Sequence, residues 1–145
     1  NARFSAKQRY YVYKIINRPS VNIINAGLQY WVREPLDVEL MREAASYLIG
    51  KHDFSSFRAA QCQSSSPVKT ISNIEITREG ENIEIYVSAI SFLHHMVRNI
   101  VGNLLQVGKG IWPPEKMKEI LEQRNRSRGA PTAPAEGLYF LKVDY

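Results

Sequence analysis

Thiols are nearly missing from this chain: Cys62 is the single cysteine in 145 residues. No disulfide can close within it, which suits a reducing, cytoplasmic setting. With three histidines and one cysteine, ligands are also too scarce for a metal site, and no HExxH pattern occurs. Adjacent His94 and His95, read on a helix, point about 100° apart and make a poor chelating pair. No apolar run approaches the roughly 20 residues needed to span a bilayer, and no charged-then-apolar leader is visible. The expectation is a soluble protein without a membrane partner. No Gly-rich phosphate loop follows a strand, and no Ser/His/Asp nucleophile arrangement is recognisable.

What is present suffices for one hydrophobic core and is too short for two ordinary domains. Residues 1–145 are therefore read as a single domain, and the start at Asn1 rather than at a methionine as the start of a fragment. The net charge of +5 is uneven. Residues 1–35 hold Arg3, Lys7, Arg9, Lys14, Arg18 and Arg33 against Glu34 alone, whereas residues 36–145 balance. A basic, tyrosine-rich segment favours an anionic partner such as RNA, although many solvated strand faces are also basic.

Residues 9–17, RYYVYKIIN, are rich in aromatic and β-branched side chains and predict a strand. Alternation sets Arg9, Tyr11, Tyr13 and Ile15 on one face and Tyr10, Val12, Lys14 and Ile16 on the other. Asp37 reads as the N-cap of a helix carrying Leu40, Met41, Ala44, Ala45 and Leu48 inward until Gly50 ends it. Residues 51–68 read as an ordered loop. Residues 70–77 and 83–89 flank 78–82 as a hairpin, with Ile83, Ile85, Val87 and Ala89 alternating against Glu84, Tyr86 and Ser88. Pro113 and Pro114 open a short helix with Met117, Ile120 and Leu121 inward. Arg124, Arg126 and Arg128 lie at or beyond its end, where cations suit the dipole. Residues 129–137 form a loop and 138–145 a closing strand. This order predicts α+β: a mainly antiparallel sheet with helices packed on one face.

The most informative stretch is FLHHMVRNIVGNLLQVGKG, residues 92–110, read as one long helix. At about 100° per residue, Phe92, Leu93, Met96, Val97, Ile100, Val101, Leu104 and Val107 form a broad apolar arc. His94, His95, Arg98 and Gly102 gather on the narrow remaining side. An arginine beside so much apolar surface must reach water, a carboxylate or a phosphate. It either snorkels to the surface or sits in a cleft and pairs with an acid there; periodicity leaves both open. Gly102 on the same edge permits close approach of a backbone or ligand. Asp53, in KHDFSSFR, reads as turn-stabilising ahead of catalytic.

Four segments carry a resemblance: FSAKQRYYVY (4–13), GKHDFSSFR (50–58), FLHHMVRNIVGNLLQVGKG (92–110) and TAPAEGLYFLKVDY (132–145). In this order, and spanning nearly the whole chain, they resemble the C-terminal half of the tRNA pseudouridine synthase A (TruA) family. The resemblance implies two α+β halves with joined sheets and an active-site cleft between them. It implies homodimers acting on tRNA without metal or small-molecule cofactor, isomerising uridine to pseudouridine in the anticodon stem-loop, positions 38 to 40. The family's catalytic aspartate lies in a GRTDxGVHA motif of the other half; this chain has no such motif, and Asp37, Asp53 and Asp144 stand in other contexts. By the same resemblance, Tyr11 matches the active-site tyrosine that packs on the target base, and Arg98 the basic residue that pairs with the aspartate. Lys7, Arg9 and Arg58 are the candidate RNA-binding residues. Phe54 and Phe57 read as core ahead of cleft lining, and His94 and His95 as structural residues or supports behind the site. An RNA-binding module without catalysis and a dimerisation scaffold are the competing readings.

Overall fold

The structure is a computed structural model that describes residues 7–20, 28–59 and 66–145. Cys62 and Arg3 lie outside the described residues, as does part of the loop expected at 51–68. In chain order the elements are β1 (Gln8–Asn17), β2 (Tyr30–Val32), α1 (Val38–Ser46), β3 (Gly50–Asp53), β4 (Val68–Glu79), β5 (Asn82–Ala89), α2 (Met96–Gly108), α3 (Lys116–Gln123) and β6 (Leu138–Asp144). The strands form one sheet in the order β2-β1-β5-β4-β3, with β6 also pairing β1. Only the β1–β2 pairing is parallel among the described residues. The expected α+β class is observed.

Strand β1 organises the sheet. One edge pairs with β5 along its length. Its other edge is shared: β6 takes Gln8 to Tyr13 and β2 takes Ile15 to Asn17. The register sets Tyr13 beside Ile85 and Ile85 beside Ile76, so β-branched and aromatic side chains of three strands face one way. That face meets α1, α2 and α3, and Tyr13, Ile15, Ile76, Ile83, Ile85 and Val87 are all buried there with Met41, Ile100, Leu104 and Ile120. At about 25 cal/mol per Å² of apolar surface removed from water, each such side chain adds roughly 1.5–3 kcal/mol.

Local signals predicted most of these elements. The Asp37 side chain accepts from the Leu40 amide at 3.1 Å and caps α1 as expected. The helix stops at Ser46, a turn before Gly50, whose positive φ of 104° then starts β3. The hairpin turn is tighter than expected, since the strands run to Glu79 and Asn82 and leave Gly80 and Glu81 between. The prolines open α3 as predicted, their carbonyls accepting from Lys116 and Met117.

Two expectations are corrected and one element is added. Residues 50–53 form an edge strand paired with β4; GKHD carries no apolar alternation because a charged edge strand buries little. Strand β2 was not foreseen, being only three residues long. The long helix begins at Met96, not at Phe92: His95 adopts a left-handed φ of 63° and turns the chain into α2. Phe92 and Leu93 match the helical period by coincidence. Among the described residues no helix is long and apolar enough to cross a membrane.

Candidate active site

The pleat of β1 sends Tyr11 and Tyr13 to the helical side at successive depths. Tyr13 is fully buried, donates its hydroxyl proton to the Pro134 carbonyl at 2.5 Å, and packs so closely on Gly137 that a Cβ there would fall 2.7 Å from its ring. Burial pushes its phenol well above the ordinary value; Tyr30 and Glu136 add to that, and Arg98 opposes it. Tyr13 is thus a neutral, structural tyrosine. Tyr11, nearer the end of the sheet, is half-buried. Its ring stands edge-on to Phe92 (centroids 5.2 Å apart, 87° between planes) and to Phe140 (5.3 Å, 67°). Two edge contacts of this type fix the ring's orientation. Among the described residues nothing hydrogen-bonds the Tyr11 hydroxyl.

Arg98 occupies the first turns of α2. Its Nε donates to the Ala133 carbonyl at 2.8 Å, while the Ala133 amide donates to the Arg98 carbonyl at 3.1 Å. This reciprocal pair staples the loop before β6 onto the helix. Gly102 completes the staple, because a Cβ there would fall 2.1 Å from the Pro131 carbonyl oxygen. The close approach expected of Gly102 is therefore to a backbone.

Behind the staple lies a buried polar network that periodicity did not reveal. Asn99 and Asn103 are fully buried inside α2. Asn99 Nδ2 donates to the Phe57 carbonyl at 2.8 Å, and its Oδ1 accepts from Thr132 and Arg126. Asn103 Oδ1 accepts from the Ala130 amide. Arg126, expected at the helix dipole, instead turns inward to this network. Each bond is worth about 1 kcal/mol net, but a deserted buried partner costs about 1–3 kcal/mol, so the loop is strongly held.

These constraints leave a cavity of about 490 Å³ between the Tyr11 ring, residues 92–98 and the start of β6 at Leu138. Arg98 lines it, half-buried, with only its Nε engaged by protein among the described residues. The guanidinium is therefore at a cleft, which is one half of the second sequence reading; the acid that the reading pairs with it is not met among the described residues. Among the described residues no carboxylate lines this cavity, and Arg98 makes no ion pair. His94 and His95 stand on the cavity wall, exposed, with rings stacked 3.8 Å apart. The expectation that they diverge by 100° fails because they precede the helix. Partial desolvation, then His94 and Arg98, hold the His95 imidazole below its ordinary value.

The structure thus brings Tyr11 and Arg98 to one cavity. Arg9 lies two residues earlier on the same strand face and donates to the Ile90 carbonyl, where the chain leaves β5 for Phe92. Lys7 is exposed at the start of β1. Arg58 precedes Ala59, whose amide donates to the His94 carbonyl at 3.1 Å, so that segment abuts the cavity wall. Phe54 and Phe57 are fully buried core, as expected. Asp53 closes a turn: its Oδ1 accepts from the Ser55 amide (2.9 Å) and hydroxyl (2.6 Å). Burial raises its pKa, yet the Ser55 bonds and then Arg124 and Arg58 leave it below the ordinary value. A second hollow of about 650 Å³ between β3 and α3 is lined by Lys51, Lys118 and Arg124 beside Asp53 and Glu122. There Arg124 already faces Asp53 at 3.9 Å.

A family model described as tRNA pseudouridine synthase matches residues 44–145, which include Arg98, the 92–95 wall and the stapled loop. The chain belongs to the tRNA pseudouridine synthase family. It is 57% identical over all 145 residues to tRNA pseudouridine synthase A of Ehrlichia ruminantium strain Gardel. With the protein of the same name from strain Welgevonden the identity is 56%. In both comparisons the chain is covered completely and spans 59% of the relative's length. Tyr11 precedes the stretch matched by the tRNA pseudouridine synthase family model and falls within the alignments to both relatives. Phe92 and Leu138, which line the cavity of this synthase-family chain, and Phe140, which braces the Tyr11 ring, carried no chemical signal in the sequence. They are ordinary apolar residues brought to the site by the register of β6 on β1 and by the segment that joins β5 to α2.

Proposed function

We propose that this chain is the C-terminal half of a tRNA pseudouridine synthase that isomerises uridine to pseudouridine in the anticodon stem-loop, positions 38 to 40, and that residues 1–145 act as its RNA-binding and active-site-supporting domain. One observation carries the reading: Tyr11 and Arg98 share a cavity that no carboxylate among the described residues lines. A site of this kind is completed by an acid from elsewhere. The rest of the protein, the 41% of the relatives' length that this chain does not span (100 minus 59), is the natural source. The tRNA partner follows from the same reading, and a cytoplasmic homodimer without cofactor from the family resemblance.

The chemistry assigned to each residue is simple. The target uridine is flipped from its stack into the cavity, at a cost of a few kcal/mol. The Tyr11 ring offers it a stacking face. The free side of the Arg98 guanidinium holds the incoming catalytic aspartate ionised by opposite charge at short range. The aspartate acts at the sugar and the N1–C1′ glycosidic bond breaks; the detached base turns and bonds to C1′ through its carbon 5, which then loses its proton with help from the Tyr11 hydroxyl while N1 takes up a proton. Lys7, Arg9 and Arg58 neutralise phosphates along the approach.

The test is a reconstitution. Incubated alone with an unmodified tRNA anticodon arm, the 145-residue chain is expected to form no pseudouridine detectable by mass spectrometry, whereas the protein carrying a GRTD-type segment does. Multiple turnover by the 145-residue chain alone overturns the assignment of the catalytic acid.

A further inference from the structure

The mechanism above leaves two titratable side chains on the cavity wall unused. His94 and His95 are both exposed, their rings lie 3.8 Å apart at 26°, and both line the cavity with Arg98 and Tyr11. The backbone fixes them there. His95 sits at φ 63°, a left-handed conformation uncommon for a residue with a Cβ. The His94 carbonyl accepts from the Ala59 amide at 3.1 Å and the His95 carbonyl from the Asn99 amide at 2.9 Å. Their imidazole nitrogens make no hydrogen bond among the described residues. The ionisable and charged groups facing the pair are each ring toward the other, Arg98 from α2 and Tyr11 from β1; the nearby segment bonded through Ala59 carries Arg58, whose charge acts on Asp53. All but the tyrosine are cations or become cations, and no carboxylate among the described residues lines the cavity.

We propose that the His94–His95 stack is a proton-coupled clamp for a backbone phosphate of the RNA next to the flipped uridine. This rests on the reading of the cavity as a uridine pocket. A nucleotide swung out of its stack rotates about its own backbone, so its flanking phosphates stay at the cavity mouth while the base goes in. The aspartate partner of Arg98 neutralises one cation only, and leaves the imidazole edges for a second anion.

The proton linkage follows from the geometry. In the free protein, partial desolvation and then the neighbouring His94 and Arg98 disfavour the protonated form of His95. An arriving phosphate reverses that balance: one imidazole takes up a proton and donates two hydrogen bonds in place of one. A group whose pKa rises on binding makes binding tighter as pH falls. A rise of about one pKa unit makes the complex about tenfold tighter below both values than above them.

The experiment measures affinity of the intact protein for an unmodified tRNA anticodon arm at pH 6 and pH 8, at fixed salt, alongside the His94→Gln/His95→Asn double variant. Asparagine tolerates the left-handed backbone, so the turn into α2 is kept. The expected result is about three- to tenfold tighter binding at pH 6 in the natural protein, with that ratio collapsing toward one in the variant. In parallel, the imidazole C2–H resonances of the natural protein are titrated with and without RNA, and one of them should titrate at higher pH in the complex. A pH ratio that survives in the double variant, or imidazole pKa values that RNA does not raise, overturns the clamp while RNA binding itself leaves the enzyme reading standing. Absence of anticodon-arm binding at either pH defeats the enzyme reading and the clamp with it.

Discussion

Tyr11 and Arg98 are the residues to which the proposed site assigns distinct roles, and each admits a substitution that separates them. Tyr11→Phe keeps the ring between Phe92 and Phe140 and removes only a hydroxyl that has no partner among the described residues. It is expected to bind a trapped uridine nearly as well as the natural protein and to turn over slowly. Tyr11→Leu loses the stacking face as well and should weaken binding by roughly 1–3 kcal/mol; equal, normal kinetics in both variants would remove Tyr11 from the site. Arg98 has two employments, since its Nε holds Ala133 while the rest of the guanidinium faces the cavity. Arg98→Ala should cost the isolated chain roughly 1–3 kcal/mol, because the bond to the loop is gone. In the intact protein the loss should grow to about 3–5 kcal/mol, because a carboxylate is then stranded beside apolar walls. Arg98→Lys should fall between, keeping charge without the planar fork. Thermal unfolding in both contexts measures the difference, and equal losses would mean that no carboxylate meets Arg98.

At the scale of elements, the site depends on how α2 grips the loop that precedes β6. The grip needs a residue without a side chain at position 102, and Gly102→Ala drives a Cβ into the Pro131 carbonyl. Overpacking of that kind costs about 1–3 kcal/mol. Chemical denaturation should register the loss, and the Ala133 amide should exchange faster with solvent; an unchanged midpoint and exchange rate would show that the loop yields freely. The sequence marked Gly102 as a point of close approach and Arg98 as a cation needing an outlet. It said nothing of Asn99 and Asn103, because a polar residue on a helix reads as exposed until a loop from 27 or 33 residues away returns to bond it. The wall formed by residues 92–95 was hidden for a similar reason. A helical pattern continued through Phe92 and Leu93, and only the left-handed turn at His95 broke it.

For the whole molecule, the uneven charge of the first 35 residues resolves into two faces. Arg9 lies on the helical side with Tyr11, whereas Lys14 lies on the opposite face with its ammonium 4.8 Å from the Tyr139 ring. Only the first is in line with the cavity. Lys7→Ala with Arg9→Ala should therefore flatten the dependence of log RNA affinity on log salt, by roughly 0.7–0.9 in slope for each phosphate no longer neutralised. Lys14→Ala should leave that slope unchanged. A slope indifferent to the first pair and sensitive to Lys14 would put the RNA on the open face of the sheet.

Local pattern was enough for the strand alternation of β1 and β5, the Asp37 cap, the proline-opened α3 and the α+β class, because each rests on interactions between residues near in the chain. Motifs in the chain also singled out Tyr11 and Arg98 as the residues to look for in the structure. Folding had to be complete before these two shared a cavity, before the locally formed His94–His95 stack became part of its wall, and before a loop was stapled behind them. Those arrangements depend on sheet register and on backbone approach between segments about 30 or more residues apart, and the short-range periodicities of helix and strand encode no such distances.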